Sequence, residues 1–174
     1  MKKLSFIMVL AVFALQSCGA GQQKDNDKSG SAETSAPAQT VSVAQAADGG
    51  SINLTKNVFL QRVWDYENTP EEWAYKGDKP ALIDFYADWC GPCKIASPIL
   101  EEVSHEYAGQ IYVYKIDTEK EKELAAVFGI RGIPAFLYIP VGGQPVMMSG
   151  IARTKEDTKK MFKDNIDKYL LTSN

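Results

Sequence analysis

The stretch Trp89-Cys90-Gly91-Pro92-Cys93-Lys94 constrains this chain more than any other. It follows an apolar run, Ala81-Leu82-Ile83-Asp84-Phe85-Tyr86, and precedes Ile95, Ile99, Leu100, Val103 and Tyr107 at helical spacing. The pattern predicts a strand, two cysteines three apart, then a helix. A cysteine at a helix N-terminus faces unpaired backbone N–H groups and the positive end of the macrodipole, and both favour a thiolate. Cys93 lies one turn further along on the same face, so its sulfur can reach that of Cys90. Gly91 and Pro92 admit the tight turn, and a proline at the start of a helix lacks an N–H that would go unpaired anyway. We read a dithiol–disulfide centre. The alternatives are half of a zinc site or a purely structural bridge. Zinc needs two more ligands, whereas the remaining cysteine is Cys18 and the single histidine is His105. A bridge closing so short a loop would stabilise weakly.

At 174 residues, with 45% hydrophobic and 24% charged residues, the chain has the composition of one folded domain plus extensions. A domain of about 120 residues buries a workable core without many disulfides. The net charge of −3 and the lack of a dense basic patch with interleaved aromatics argue against nucleic-acid binding.

Lys2 and Lys3 precede an apolar run from Leu4 to Leu15, too short to span a bilayer stably and matching a secretory leader. It ends in Leu15-Gln16-Ser17-Cys18, which resembles a bacterial lipobox. That resemblance implies cleavage before Cys18 and lipidation of its thiol; several acyl chains make a durable anchor. The alternatives are an ordinary leader with a coincidental cysteine, or a third redox thiol. Loss of residues 1–17 removes two lysines and takes the charge from −3 to −5. The expected location is extracytoplasmic: a bacterial, membrane-anchored lipoprotein in the periplasm, where disulfides persist.

Residues 18–50 are rich in Gly, Gln, Ser, Ala, Thr, Asp and Lys, and only Val41 and Val43 supply larger apolar side chains. Such a stretch cannot offset its ordering entropy. It reads as a tether of about 30 residues with a coil dimension of roughly 30 Å. The folded domain is expected over 51–174. A strand at Ile52 and Leu54 leads to a helix capped by Thr55, and Thr69 before Pro70 suggests a second capped turn. Strands follow at 81–86, 111–116, 135–139 and 146–148. Helices are expected after Pro92 (kinked at Pro98), from Glu119 to Phe128, and from Thr154 through Leu170. This order predicts an α/β fold, a central mixed sheet with helices on both faces.

The domain resembles thioredoxin. DFYADWCGPCK at 84–94 is close to that family's active-site signature, RGIP at 131–134 is similar to its cis-proline loop, and YKID at 114–117 matches its third-strand segment. The resemblance covers roughly the 120 residues from Ser51 to Leu170. Two departures stand out: Tyr86 replaces a frequent Trp, and Asp65 to Lys79 is longer and more polar than in short members.

The resemblance implies that Cys90 is an exposed nucleophile and Cys93 a more buried resolving thiol. Asp84 is implied as a buried proton acceptor, an Asp in an apolar strand being costly unless used or paired. Lys115 is implied to approach it from the next strand. A solvent-facing Asp84 and a merely exposed Lys115 are the plain alternatives. For substrate binding the resemblance implies Trp89, Gly91, Pro92, Ile133, Pro134 and Gly150, with a cis Pro134 presenting the Ile133 backbone. Core packing for Trp89 and ordinary turns for Pro134 and Gly150 compete with this. His105 and the charges at 119–123 read as solvated or structural.

The leading reading is a tethered, extracytoplasmic protein-disulfide oxidoreductase, working as a monomer without cofactor or metal. Its partners would be proteins carrying disulfides and a membrane or periplasmic redox partner. The Gly-Pro pair resembles reducing members; oxidases and isomerases of the fold usually carry a His there. Rival readings are an oxidase or isomerase and a non-catalytic binding module. A thiol peroxidase would need an Arg partner in a Pro/Thr-rich loop, and a cytochrome-maturation reductase an insertion between Cys93 and Pro134; neither pattern is present.

Overall fold

The computed structural model describes residues 49–172. The expected leader, Cys18 and all of the tether but its last two residues lie outside them. The apolar runs become five strands: β1 (Ser51–Asn53), β2 (Ala81–Tyr86), β3 (Tyr112–Asp117), β4 (Ala135–Ile139) and β5 (Val146–Ser149). Between and after them run α1 (Lys56–Arg62), α2 (Gly91–Glu106), α3 (Lys122–Val127) and α4 (Lys155–Ile166), the last continued by a π-type turn over Asp167–Leu171. The sheet order is β1-β3-β2-β4-β5. β1 and β2 both run parallel to β3, while β4 is antiparallel to β2 and to β5. This is the mixed α/β sheet the sequence predicts.

Alternation along β2 explains how a nearly continuous apolar run is used. Ala81, Ile83 and Phe85 enter one core with Phe59 of α1, Ile116 of β3 and Leu124 of α3. Leu82 enters the other with Ala96, Leu100 and Val103 of α2, and with Phe162 and Ile166 of α4. A strand covered on both faces needs no polar side, so Asp84 is the exception that calls for a reason.

Capping chemistry sets the helix starts. Thr55 Oγ1 accepts from the Val58 N–H at 3.4 Å, and Thr154 Oγ1 from the Asp157 N–H at 3.0 Å. α3 begins at Lys122 rather than Glu119, because residues 118–120 form a turn tied to Asp117: its carboxylate accepts from the Glu119 N–H and its carbonyl from Glu121. The charges at 119–123 are therefore more than a solvated face. Glu121 Oε2 accepts from the Lys56 N–H at the start of α1, and Glu123 accepts from both Lys56 and Tyr66. Two orphan-rich ends are joined by charge-assisted bonds.

Thr69 does not cap a helix. Asp65 organises that segment, accepting from Asn68 and, through its carbonyl, from the Thr69 hydroxyl. Polar as 65–79 is, its rings join the core edge: Trp64 contacts Tyr66, Trp73 and Phe128. The chain also engages the fold just before Ser51. Gly50 donates its N–H to Ser104 Oγ at 3.0 Å, and a Cβ at Gly49 (φ 81°) would stand 2.8 Å from the His105 Cα. Glycine is required at 49 by both conformation and close approach. Among the described residues no helix is long and apolar enough to cross a membrane.

Candidate active site

β2 delivers the chain to the top of the sheet and α2 leaves from there, with the cysteines at the junction. Cys90 is the N-cap of α2 in extended conformation, and its Sγ accepts from the Cys93 N–H at 3.2 Å. Pro92 occupies the first turn. A donor normally left unsatisfied at a helix start is thus aimed at the Cys90 sulfur, together with the positive helix end. The two cysteines are joined in a disulfide, S–S 2.08 Å and Cα–Cα 5.3 Å. The expected contrast in exposure is absent from this oxidised pair: Cys90 is 3% and Cys93 2% exposed. Both sulfurs are covered in this state, and the Cys93 N–H donates to that of Cys90.

Asp84 lies fully buried, which removes the alternative of a solvent-facing strand residue. Its Oδ2 accepts from the Ser97 hydroxyl at 3.3 Å, whereas its buried Oδ1 has no partner among the described residues. Burial pushes the carboxyl up to about 6; the nearby Lys115 charge and the Ser97 hydrogen bond pull the other way and do not prevail. Lys115 is the register partner of Asp84 across β2 and β3. Its ammonium sits 4.6 Å from the centre of the Tyr86 ring rather than on the carboxylate. A cavity of about 260 Å³ opens beside these groups, with Cys93, Ser97, Lys115 and Tyr86 in its wall. α2 runs on through Pro98, which also lines this cavity.

On the other side of the cysteines, Trp89 is 69% exposed and not a core residue. It lines a groove of about 650 Å³ with Ile130, Arg131, Gly132 and Ile133. The Ile133–Pro134 peptide bond is cis. The Pro134 carbonyl accepts from the Gly150 N–H at 2.9 Å. Gly150 has φ 83°, and a Cβ there would meet nothing within 4 Å, so backbone conformation rather than crowding calls for glycine. Gly91 likewise has open space where a Cβ would project.

The residues named from the sequence therefore fall into two groups around the disulfide. Asp84 and Lys115 lie on the cavity side. Trp89 and Ile133 lie on the groove side, with Pro134 and Gly150 joined by a hydrogen bond next to Ile133. Cys18 lies outside the described residues. Sequence reasoning passed over Ser97. Its one signal was position, four residues after Cys93 on the same helical face.

A family model described as Thioredoxin matches residues 65–164. The chain belongs to the thioredoxin family. A thioredoxin of Borreliella burgdorferi is 47% identical over 100 residues, 58% of this chain and 85% of that one. Thioredoxin 1 of a Nostoc species is 40% identical over 95 residues, 55% of this chain and 78% of its own. The chloroplastic M-type thioredoxin of Spinacia oleracea is 35% identical over 100 residues, 58% of this chain and 52% of its own. As a thioredoxin, the chain is a thiol-disulfide oxidoreductase acting on disulfide-containing proteins, and Cys90–Cys93 is its redox pair. β1 and α1 lie before the matched region and complete the sheet and one core.

The position of Asp84 has a measurable cost in this thioredoxin. An unfolded Asp titrates near 3.9, while Asp84 in the fold holds its proton up to about 6. The folded state binds more protons across that window, so stability falls as pH rises through it. Asp84→Asn, neutral at every pH, is expected to be more stable than the parent at pH 8 by up to about 3 kcal/mol. The gap closes below about pH 4. Denaturant titrations at the two pH values measure it, and a gap independent of pH contradicts the assignment.

Proposed function

We propose that this thioredoxin is a disulfide reductant of the bacterial periplasm, tethered to a membrane by a lipidated Cys18. The observation that carries the redox half is the Cys90 sulfur at the N-cap of α2, receiving the Cys93 N–H. On reduction, that donor and the helix end stabilise the Cys90 thiolate. The thiolate attacks one sulfur of a substrate disulfide, forming a mixed disulfide and releasing the other substrate sulfur as a thiolate, which takes a proton from water. Cys93 then gives up its proton and attacks the Cys90 sulfur. The second substrate thiolate leaves and is protonated, and the Cys90–Cys93 bond holds the two-electron oxidation.

Asp84 accepts the Cys93 proton in this reading. Its buried, one-sided hydrogen bonding and a pKa near physiological pH suit that task, and the Lys115 charge keeps its ionised form within reach. The groove beside Trp89 receives an extended substrate segment: Trp89 supplies the apolar platform, and the backbone about Ile133, Pro134 and Gly150 the strand-like edge. Gly91, with open space where a side chain would project, adds no bulk next to Cys90.

Reduction, rather than oxidation, is supported by what lies between the cysteines. Gly91 and Pro92 carry no titratable group to stabilise the reduced pair beyond what α2 provides. The pair equilibrated against a thiol buffer is expected near about −270 mV, whereas about −180 to −120 mV would assign disulfide formation or exchange instead.

Tethering is supported by the basic start, the apolar run and the Leu-Gln-Ser-Cys ending at residues 15–18. Lipid on Cys18 places the domain within reach of membrane redox partners that return electrons. In a bacterial host, the parent chain is expected in the membrane fraction and Cys18→Ala in the soluble or leader-retaining form. An unlipidated parent chain overturns the tether.

A further inference from the structure

Asp84 is fully buried and does not itself line the cavity in whose wall Cys93 lies. Ser97 links the two. It is half-buried, lines that cavity beside Cys93, and donates its hydroxyl to Asp84 Oδ2. Cys93 and Ser97 stand four apart on α2, on one helical face. Among the described residues, no other donor reaches either oxygen of the carboxylate.

We propose that Ser97 is the positioning residue of the resolving step, holding the Asp84 carboxylate in place and coupling it to the cavity beneath Cys93. The inference rests on the reading of Asp84 as the proton acceptor. When the mixed disulfide resolves, the Cys93 S–H proton passes through the cavity to the Ser97 oxygen while the Ser97 O–H proton moves to Asp84. The hydroxyl is restored and no charge stays on it. The Cys93 thiolate bonds to the Cys90 sulfur, the Cys90–substrate bond breaks, and the departing thiolate takes its proton from water. A cavity of about 260 Å³ is roomy enough for bridging water, whose share of liquid volume is about 30 Å³.

Few other groups compete for this role. From β3, Lys115 faces Asp84 and directs its ammonium to the Tyr86 ring. From β2 and the following loop, Tyr86 and Asp88 border the cavity, and from α2 Lys94 does so besides Cys93 and Ser97. β4 places the apolar Phe136 opposite Asp84, and α4 brings Phe162 and Ile166 to this core. Among the described residues, Ser97 alone is both bonded to the carboxylate and open to the cavity.

Two readouts test the proposal on the full chain. One is the Asp84 titration midpoint in the oxidised protein, followed by carboxyl carbon NMR. The other is the pH profile of mixed-disulfide resolution, with a small dithiol-derived disulfide as substrate. Ser97→Ala is expected to raise the midpoint by about half to one pH unit, the range a hydrogen bond to a carboxylate produces. The acid limb of the rate profile should move with it, slowing resolution about two- to fivefold at pH 6. Ser97→Thr, which keeps the hydroxyl, should restore both. If Asp84→Asn slows resolution while Ser97→Ala matches the parent in both readouts, the Ser97 role is overturned and Asp84 keeps its own. If Ser97→Thr is as impaired as Ser97→Ala, the effect is packing and the proposal is again overturned. If Asp84→Asn leaves the profile unchanged, the proton-acceptor reading fails and takes the Ser97 role with it.

Discussion

The hydrogen bond from the Cys93 N–H to the Cys90 sulfur is the contact on which the active site depends. It makes one sulfur the cap of a sixteen-residue helix and so ties redox chemistry to the longest helix among the described residues. A helix start leaves donors unpaired, and here one of them is directed at the sulfur proposed to carry negative charge during the reaction. Among the described residues no hydrogen bond is directed at the Cys93 sulfur. The asymmetry between two chemically identical side chains comes from their places in the first turn of α2.

That arrangement needs a rigid base, which the sheet supplies. β2 is flanked by β3 and β4 and covered on both faces, so its C-terminal end holds Ala87 to Cys90 in place. The same burial makes Asp84 expensive. Its ionised form is disfavoured where the apolar strand residues around it are comfortable, and the Lys115 charge and the Ser97 hydroxyl offset only part of this. On the proposed reading, the fold gives up stability near neutral pH to keep a titratable group near the cysteines, a trade found where function opposes packing. The groove beside Trp89 is open, with Ile130 and Ile133 in its wall next to the charged Glu119, Lys122 and Arg131, and Trp89 is left in solvent. The cavity beside Cys93 and the groove beside Trp89 share no lining residue, so the proposed proton handling and substrate docking use separate surfaces.

Much of the fold was legible because the strands are short apolar runs bounded by turns and the helices carry strong caps at Thr55 and Thr154. The strand–cysteine–helix junction was legible for the same reason, being a local pattern with a local cause. What escaped was set by contacts distant in sequence. Glu121 sits in a charged run that looks solvated, yet it caps α1 from 65 residues away. Gly49 and Gly50 read as tether because nothing nearby shows that they pack on α2. The near-equal burial of Cys90 and Cys93 departs from the expected exposed nucleophile, because burial at this junction is set by the packing of the fold around it. Ser97 is a small polar residue in a helix, unremarkable until Asp84 is seen 3.3 Å away.

The claim at the centre of this account is that helix position makes Cys90 the thiolate. Alkylation of the reduced protein across pH, with each labelled cysteine identified by peptide mapping, tests it most directly. The account predicts that Cys90 reacts first, with a midpoint below the free-thiol value of about 8.5. Labelling of Cys93 first, or a Cys90 midpoint at or above about 8.5, would contradict it.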